Sequence, residues 1–251
     1  MSGHSKWSSI KHKKGAADAK RGQLFSKLSR AILVAAKEGG PDPANNLALQ
    51  NAIEKAKSYS MPKDNIDRAI AKGSGADADA DAFETIVYEG YGPEGVALIV
   101  EALTDNRNRT AADVRHLFAK HGGNLGATGA VAWQFERLGV VAVSASGADE
   151  EDLLLAAADA GADDVQPDGS TFHVTSPPEV LSAVREALEG AGFSIESAEL
   201  QLVPKTTVSI DDEAKARQVM RLVDALEEND DVQDVYANFD IPERVLEAVA
   251  G

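Results

Sequence analysis

A chain of 251 residues, 43% hydrophobic and 26% charged, has the make-up of an ordinary soluble globular protein and room for one large core or two to three small ones. It has no cysteine, which removes disulfides, thiolate metal sites and cysteine nucleophiles together and fits a reducing compartment. The formal net charge of -16 is unevenly spread: residues 1–75 hold 14 Lys and Arg against 6 Asp and Glu, a balance of +8, and the rest hold 11 against 35, a balance of -24.

Such asymmetry points to a polyanion-binding end on a body that repels polyanions. Residues 1–23 contain no apolar stretch of signal-peptide length, and no run anywhere is long enough to span a bilayer. A transit peptide would favour Arg over Lys, yet Arg21 is the only arginine before Leu24. The expected compartment is the cytoplasm, and no membrane partner is expected.

The first 22 residues carry eight potential cations and one acid, Asp18, with only Trp7 and Ile10 as large apolar groups. Too little surface can be buried there to fix a fold, so the segment reads as an arm that orders on a partner. From Gln23 the apolar residues Leu24, Leu28, Ile32 and Ala35 recur at helical spacing until Gly39-Gly40-Pro41. A second helix is expected from Asp42 as cap and Pro43 as first residue, with Leu49, Ala52, Ile53 and Ala56 buried. A third opens at Ser60-Met61-Pro62, buries Ile66, Ala69 and Ile70, and ends at Gly73. The small, acidic run from Gly73 to Ala82 reads as a linker.

Strands are then predicted over Thr85–Tyr91 and Val96–Leu103, joined by the turn Gly92-Pro93-Glu94-Gly95. Thr110 with Asp113 suggests a capping box for a helix with Val114, Leu117, Phe118 and His121 on its core face. Ala130–Phe135 is expected to be a strand. Between Leu138 and Val203 the predicted order is strand, helix, strand, strand, helix, strand, which matches a ferredoxin-like unit. A strand at Thr206–Ile210, a helix at Asp212–Glu228 and a strand at Val232–Asn238 would complete the sheet begun at Thr85.

The expected fold class is therefore α+β and multidomain: an N-terminal three-helix domain plus two α/β domains, one ferredoxin-like and inserted in the other. The boundaries are a basic arm at 1–22, a helical bundle at 23–75, a linker at 76–82 and a discontinuous α/β domain at 83–137 plus 204–240. The inserted domain is 138–203 and a C-terminal tail is 241–251.

Phosphate neutralisation by Lys and Arg dominates nucleic-acid affinity, and an aromatic ring can stack on an exposed base. Lys6, Trp7, Lys11, His12, Lys13, Lys14, Lys20 and Arg21 supply both; the bland alternative is a solvated tail with Trp7 tucked onto the bundle. A second candidate is Thr104–Val131, where Arg107, Arg109, Arg115 and Lys120 stand out in an acidic domain and helix N-terminal amides near Thr110 could receive an anion. Equally, those arginines could neutralise nearby carboxylates.

Gly122, Gly123, Gly126 and Gly129 follow a helix and precede a strand, the reverse of a phosphate loop, so Gly122 is expected to end the helix and the others to serve turns. The five histidines lack metal spacing, since His116 and His121 point to different helical faces. Neither a serine nucleophile elbow nor a zinc-protease motif is present, so no catalysis, cofactor, metal or small-molecule substrate is expected.

The blocks MSGHSKWSSIKHKKGAADAKRGQLFSKLSRAI, SMPKDNIDRAIAKG, YEGYGPEGVALIVEALTDNRNRTAADVRH and KHGGNLGATGAVAWQF resemble the YebC family over residues 1–135. The resemblance implies three domains, one helical and two α/β, around a large central cavity or cleft. It also implies the family's label, a probable transcriptional regulatory protein binding DNA in the cytoplasm. Mitochondrial relatives are translational activators, and bacterial members are viewed as ribosome-associated factors helping synthesis of proline-rich stretches. An RNA target, ribosomal or transfer RNA, is thus the alternative. The matching contact positions would be the basic arm and the Arg107–Lys120 region.

Overall fold

The structure, a computed structural model, describes residues 18–75 and 83–250. The linker at 76–82 and the arm up to residue 17 lie outside the described residues. Three helices come first: α1 (Asp18–Gly39), α2 (Leu47–Ser58) and α3 (Lys63–Ser74). Helix α1 starts five residues before the expected Gln23, so Lys20 and Arg21, counted with the arm, belong to its first turn.

Asp42 does not cap α2. Its carboxylate and carbonyl accept from Ala44 and Asn45 in a separate turn, and Asn46 caps instead, accepting from the Leu49 amide at 3.0 Å. The Asn46 amide group also donates to the carbonyls of Ala35 and Gly40, which closes the α1–α2 corner. Leu28, Ile32 and Ala36 of α1, Leu49, Ile53 and Ala56 of α2, and Ile66 and Ala69 of α3 form the bundle core.

Gly73 is a packing residue inside α3, not its terminator. It is buried, and a Cβ added to it would run into the Leu33 carbonyl of α1. Gly73→Ala must push α1 and α3 apart and is expected to cost about 1–3 kcal/mol, the range for overpacking, as a lowered urea midpoint.

Strands β1 (Glu84–Tyr91) and β2 (Ala97–Thr104) form the expected hairpin. Helix α4 (Arg107–Lys120) follows, then a two-residue strand β3 (Asn124–Leu125) that pairs with β1. Strand β4 (Phe135–Ser144), helix α5 (Glu150–Asp159), strands β5 (Asp164–Asp168) and β6 (Thr171–Ser176), helix α6 (Leu181–Gly190) and strand β7 (Ile195–Pro204) come next. They form an antiparallel sheet ordered β5-β6-β4-β7, which is the second, third, first and fourth strands of a ferredoxin-like unit.

Strand β8 (Val208–Ser209), helix α7 (Glu213–Glu227), strands β9 (Val232–Ala237) and β10 (Phe239–Asp240) and helix α8 (Glu243–Ala250) close the chain. Only β9 joins the first sheet, giving the order β3-β1-β2-β9. The expected strand at Thr206–Ile210 shrinks to two residues that pair with β10 instead, in parallel. The expected tail is helix α8, whose Val245 and Leu246 are buried in the same core as α7. Among the described residues no helix is long and apolar enough to cross a membrane.

Strand β2, ALIVEALT, shows no alternation because both of its faces are covered. Leu98 and Val100 face α4 and α7, while Ala97 and Ile99 meet Val131 and Phe135. At its end Leu103 meets Leu33 and Val34 of α1. The bundle is pinned to both sheets: Lys55 of α2 reaches Asp234 of β9 and Glu199 of β7, and Arg185 of α6 pairs with Glu54 at 2.8 Å. Burial opposes the charge on Lys55, but the two carboxylates more than offset it and hold its ammonium pKa well above normal. A cleft of about 390 Å³ opens beside these pairs, lined mainly by charged and polar groups including Lys57, Glu189 and Glu196.

Candidate nucleic-acid interface

Of the arm's candidates, Lys6, Trp7, Lys11, His12, Lys13 and Lys14 lie outside the described residues, and only the backbone of Lys20 and Arg21 is described, as helix. The second candidate region is described in full. Helix α4 starts three residues before Thr110: Asn106 is the cap, accepting from the Arg109 amide at 3.1 Å. Thr110 is buried one turn in and donates its hydroxyl to Asp231 at 2.7 Å.

Asp231 is a hub. Besides Thr110 it accepts from Thr104 at 3.3 Å and from the Arg109 guanidinium at 2.8 Å, and Arg30 of α1 stands 3.6 Å away. Burial would raise its pKa, but the bonds from Arg109 and Thr110 and the Arg109 charge hold it below the usual carboxylate range. Arg109 also reaches Asp105 at 2.8 Å, and these carboxylates raise its pKa further. The Arg109 charge is therefore already matched within the protein, and Arg107 lies 3.9 Å from Glu84.

Farther along α4 the picture changes. Arg115 and Lys120 are exposed, with no carboxylate partner among the described residues. Arg221 of α7, exposed and absent from the sequence-based candidates, stands near the end of α4. Burial first, then the charges of Lys120, Arg221 and His116, press the His121 pKa below its ordinary value, so that the imidazole is neutral at pH 7. Arg217 and Arg221, four apart on α7, share one exposed face, and that spacing was visible in the sequence. Their position beside α4 was not.

The four candidate cations of this region thus divide. Arg107 and Arg109 at the start of α4 face carboxylates, whereas Arg115 and Lys120 toward its end lie in a locally cationic area. From Val114 to Phe135 there is no Asp or Glu at all.

The rest of that acid-free segment is a built loop. Gly122 ends α4 with a φ of 80°, and Gly129 turns the chain with a φ of 85°. The expected strand at Ala130–Phe135 is a 3-10 turn over Ala132–Gln134, with β4 starting at Phe135. The reason is where the backbone amides go: Gly129, Val131 and Ala132 donate to the Glu89 carboxylate at 2.7, 2.8 and 2.8 Å rather than to a neighbouring strand. Glu89 is 5% exposed. Burial pushes its carboxyl pKa up, but the three amides outweigh that and leave it below normal.

The Val131 side chain plugs the loop into the core against Ala97, Ile99 and Phe135. Tyr91 donates to the Ala130 carbonyl at 3.2 Å, and so does the Trp133 indole N–H, at 3.1 Å. The ring of Trp133 itself stays 68% exposed. Among the described residues no group of three or more His, Asp or Glu converges as a metal site would require.

Residues 5–76 match the family model described as the TACO1/YebC protein N-terminal domain, and residues 83–239 match the TACO1/YebC second and third domain. The chain is 60% identical over 251 residues to a protein of Rubrobacter xylanophilus named "Probable transcriptional regulatory protein", with both chains covered completely. A protein of Thermomicrobium roseum with the same name is 53% identical over 249 residues, 99% of this chain and 100% of its own. A crystal structure of a conserved hypothetical protein from Aquifex aeolicus superposes with a TM-score of 0.80 at 52% identity, covering 90% of this chain and 92% of that one.

Proposed function

Since this chain belongs to the TACO1/YebC family, we propose that it regulates gene expression by binding nucleic acid, without chemistry of its own. The observation that carries this reading is the acid-free stretch from Val114 to Phe135, with Arg115 and Lys120 exposed and Arg221 beside them, on a body that is otherwise strongly acidic. Such a patch attracts phosphates where the surrounding surface repels them. The basic arm, Lys6 to Arg21, would add further phosphate contacts. The relatives' name, probable transcriptional regulatory protein, supports DNA as the first reading of the target.

Backbone contact alone does not require a helix in a major groove, so structured RNA of the translation machinery is the second reading. It is supported by the exposed Arg115 and Lys120 of α4, which can pair with phosphates without reading base edges. Affinity for a nucleic-acid fragment should fall linearly on a logarithmic salt scale. Arg115→Ala and Lys120→Ala should each reduce the slope by about one, as should each arm lysine. Binding that ignores salt, or a slope unmoved by all of these changes, rules the proposal out. DNase-resistant co-sedimentation with ribosomal particles at low salt separates RNA from DNA.

A further inference from the structure

We infer that Trp133 is a fixed stacking platform for an unpaired nucleobase, an inference that rests on the nucleic-acid reading above and specifies one contact within it. An indole left 68% exposed is a large apolar surface kept in water. The fold nevertheless holds its backbone tightly. The residue sits inside the 3-10 turn whose preceding amides are gripped by the buried Glu89 carboxylate, beside a valine sunk in the core. Its own N–H is satisfied by the Ala130 carbonyl, which leaves the ring faces as the free part of the side chain.

A platform held this way presents a π-face without losing conformational entropy on contact. The local charge selects the occupant. No carboxylate lies in the sequence between Asp113 and Glu136, and the exposed Lys205 donates its backbone N–H to the Gln134 carbonyl at 2.8 Å, next to Trp133 in the chain. An exposed aromatic ring on a segment without acids of its own, whose neighbouring Glu89 carboxylate is buried and bound by backbone amides, suits a base on a phosphate backbone. In a duplex the bases are stacked on one another and present no free face, so the inference is specific for single-stranded segments, loops or bulges.

The full chain is labelled with fluorotryptophan, and the resonance missing in Trp133→Phe identifies Trp133 between the two tryptophans. The probes are a short single-stranded oligouridylate and an RNA duplex of the same length. Trp133→Ala should weaken single-strand binding by about 5- to 150-fold and leave duplex binding unchanged, and Trp133→Phe should keep most of the affinity. The Trp133 resonance should move with the single strand and not with the duplex. Full single-strand affinity in Trp133→Ala with an unmoved resonance overturns the inference and leaves salt-dependent nucleic-acid binding standing. Equal losses on both probes also overturn it, since they mark a general disturbance of the loop. No binding of either probe by the unaltered chain sinks this inference together with the RNA reading, and leaves DNA as the target of the functional reading.

Discussion

Glu89→Ala is expected to lower stability by about 3–4 kcal/mol and to release the loop that carries Trp133. The carboxylate is nearly inaccessible and, among the described residues, its partners are three backbone N–H groups and no cation. Hydrogen bonds to a charged group are each worth about 1.5–3 kcal/mol net, and their loss here strands three amides over a cavity. Glu89→Gln fills the same volume but turns an NH2 toward at least one donor, so it should cost about 2 kcal/mol and is the cleaner comparison.

The sign with pH follows from the pKa direction. The folded value lies below the ordinary 4.5, so the stabilisation is complete above that value and disappears as pH falls through the folded pKa. The gap in urea midpoint between the unaltered protein and Glu89→Gln should accordingly be widest near neutrality and close in acid. Amide exchange at Gly129, Val131 and Ala132 gives an independent reading, with strong acceleration expected in Glu89→Ala. Unchanged protection at these three amides would show that the core contacts of Val131 hold the loop without the carboxylate.

Asp231→Ala should be nearly as damaging, at about 2–4 kcal/mol, because it removes the charged acceptor shared by the buried Thr104 and Thr110 hydroxyls and leaves Arg30 and Arg109 short of a counter-charge. Thr110→Val removes one arm of the hub without changing shape greatly. Combined with Asp231→Asn in a double-mutant cycle it should give a coupling of about 1–2 kcal/mol. Strict additivity would mean that the hydroxyl and the carboxylate do not share a network. As with Glu89, the folded pKa is depressed, so the Asp231 contribution is present above about pH 3.8 and is lost only in stronger acid.

These two carboxylates also show where reading the sequence stops. The helical stripes of α1, α2 and α3 and the order of elements in the ferredoxin-like unit are periodic patterns, and the local chain displays them directly. Capping was harder: Asp42-Pro43 and Thr110-Asp113 are strong signals, yet Asn46 and Asn106 do the work because tertiary contacts choose where each helix begins. The missed helix α8 was legible, since Val245 and Leu246 carry a helical pattern after Pro242.

Glu89 was not legible. In the run YEGYGPEG it looks like any surface acid, and its partners are amides some 40 positions later that carry no side-chain signature. The same holds for the candidate interface. Arg107, Arg109, Arg115 and Lys120 look alike in one dimension, and only the return of Asp231 to the start of α4 separates the first pair from the second. Arg221 became visible as part of the patch once α7 was seen to lie against α4, and Trp133 once its exposure was known.

The pairing of β2 with β9 has a bearing on how the molecule is made. The second sheet draws all four strands from one continuous stretch, 135–204, whereas the first cannot be finished until residues 232–237 return to a strand that ended at Thr104. A growing chain therefore carries an apolar, unpaired β2 edge through the synthesis of the whole stretch from Thr104 to Val232. Covering that edge falls to β9, and sealing the core behind it to α7 and α8, so the chain stays open to wrong partners until these elements have emerged.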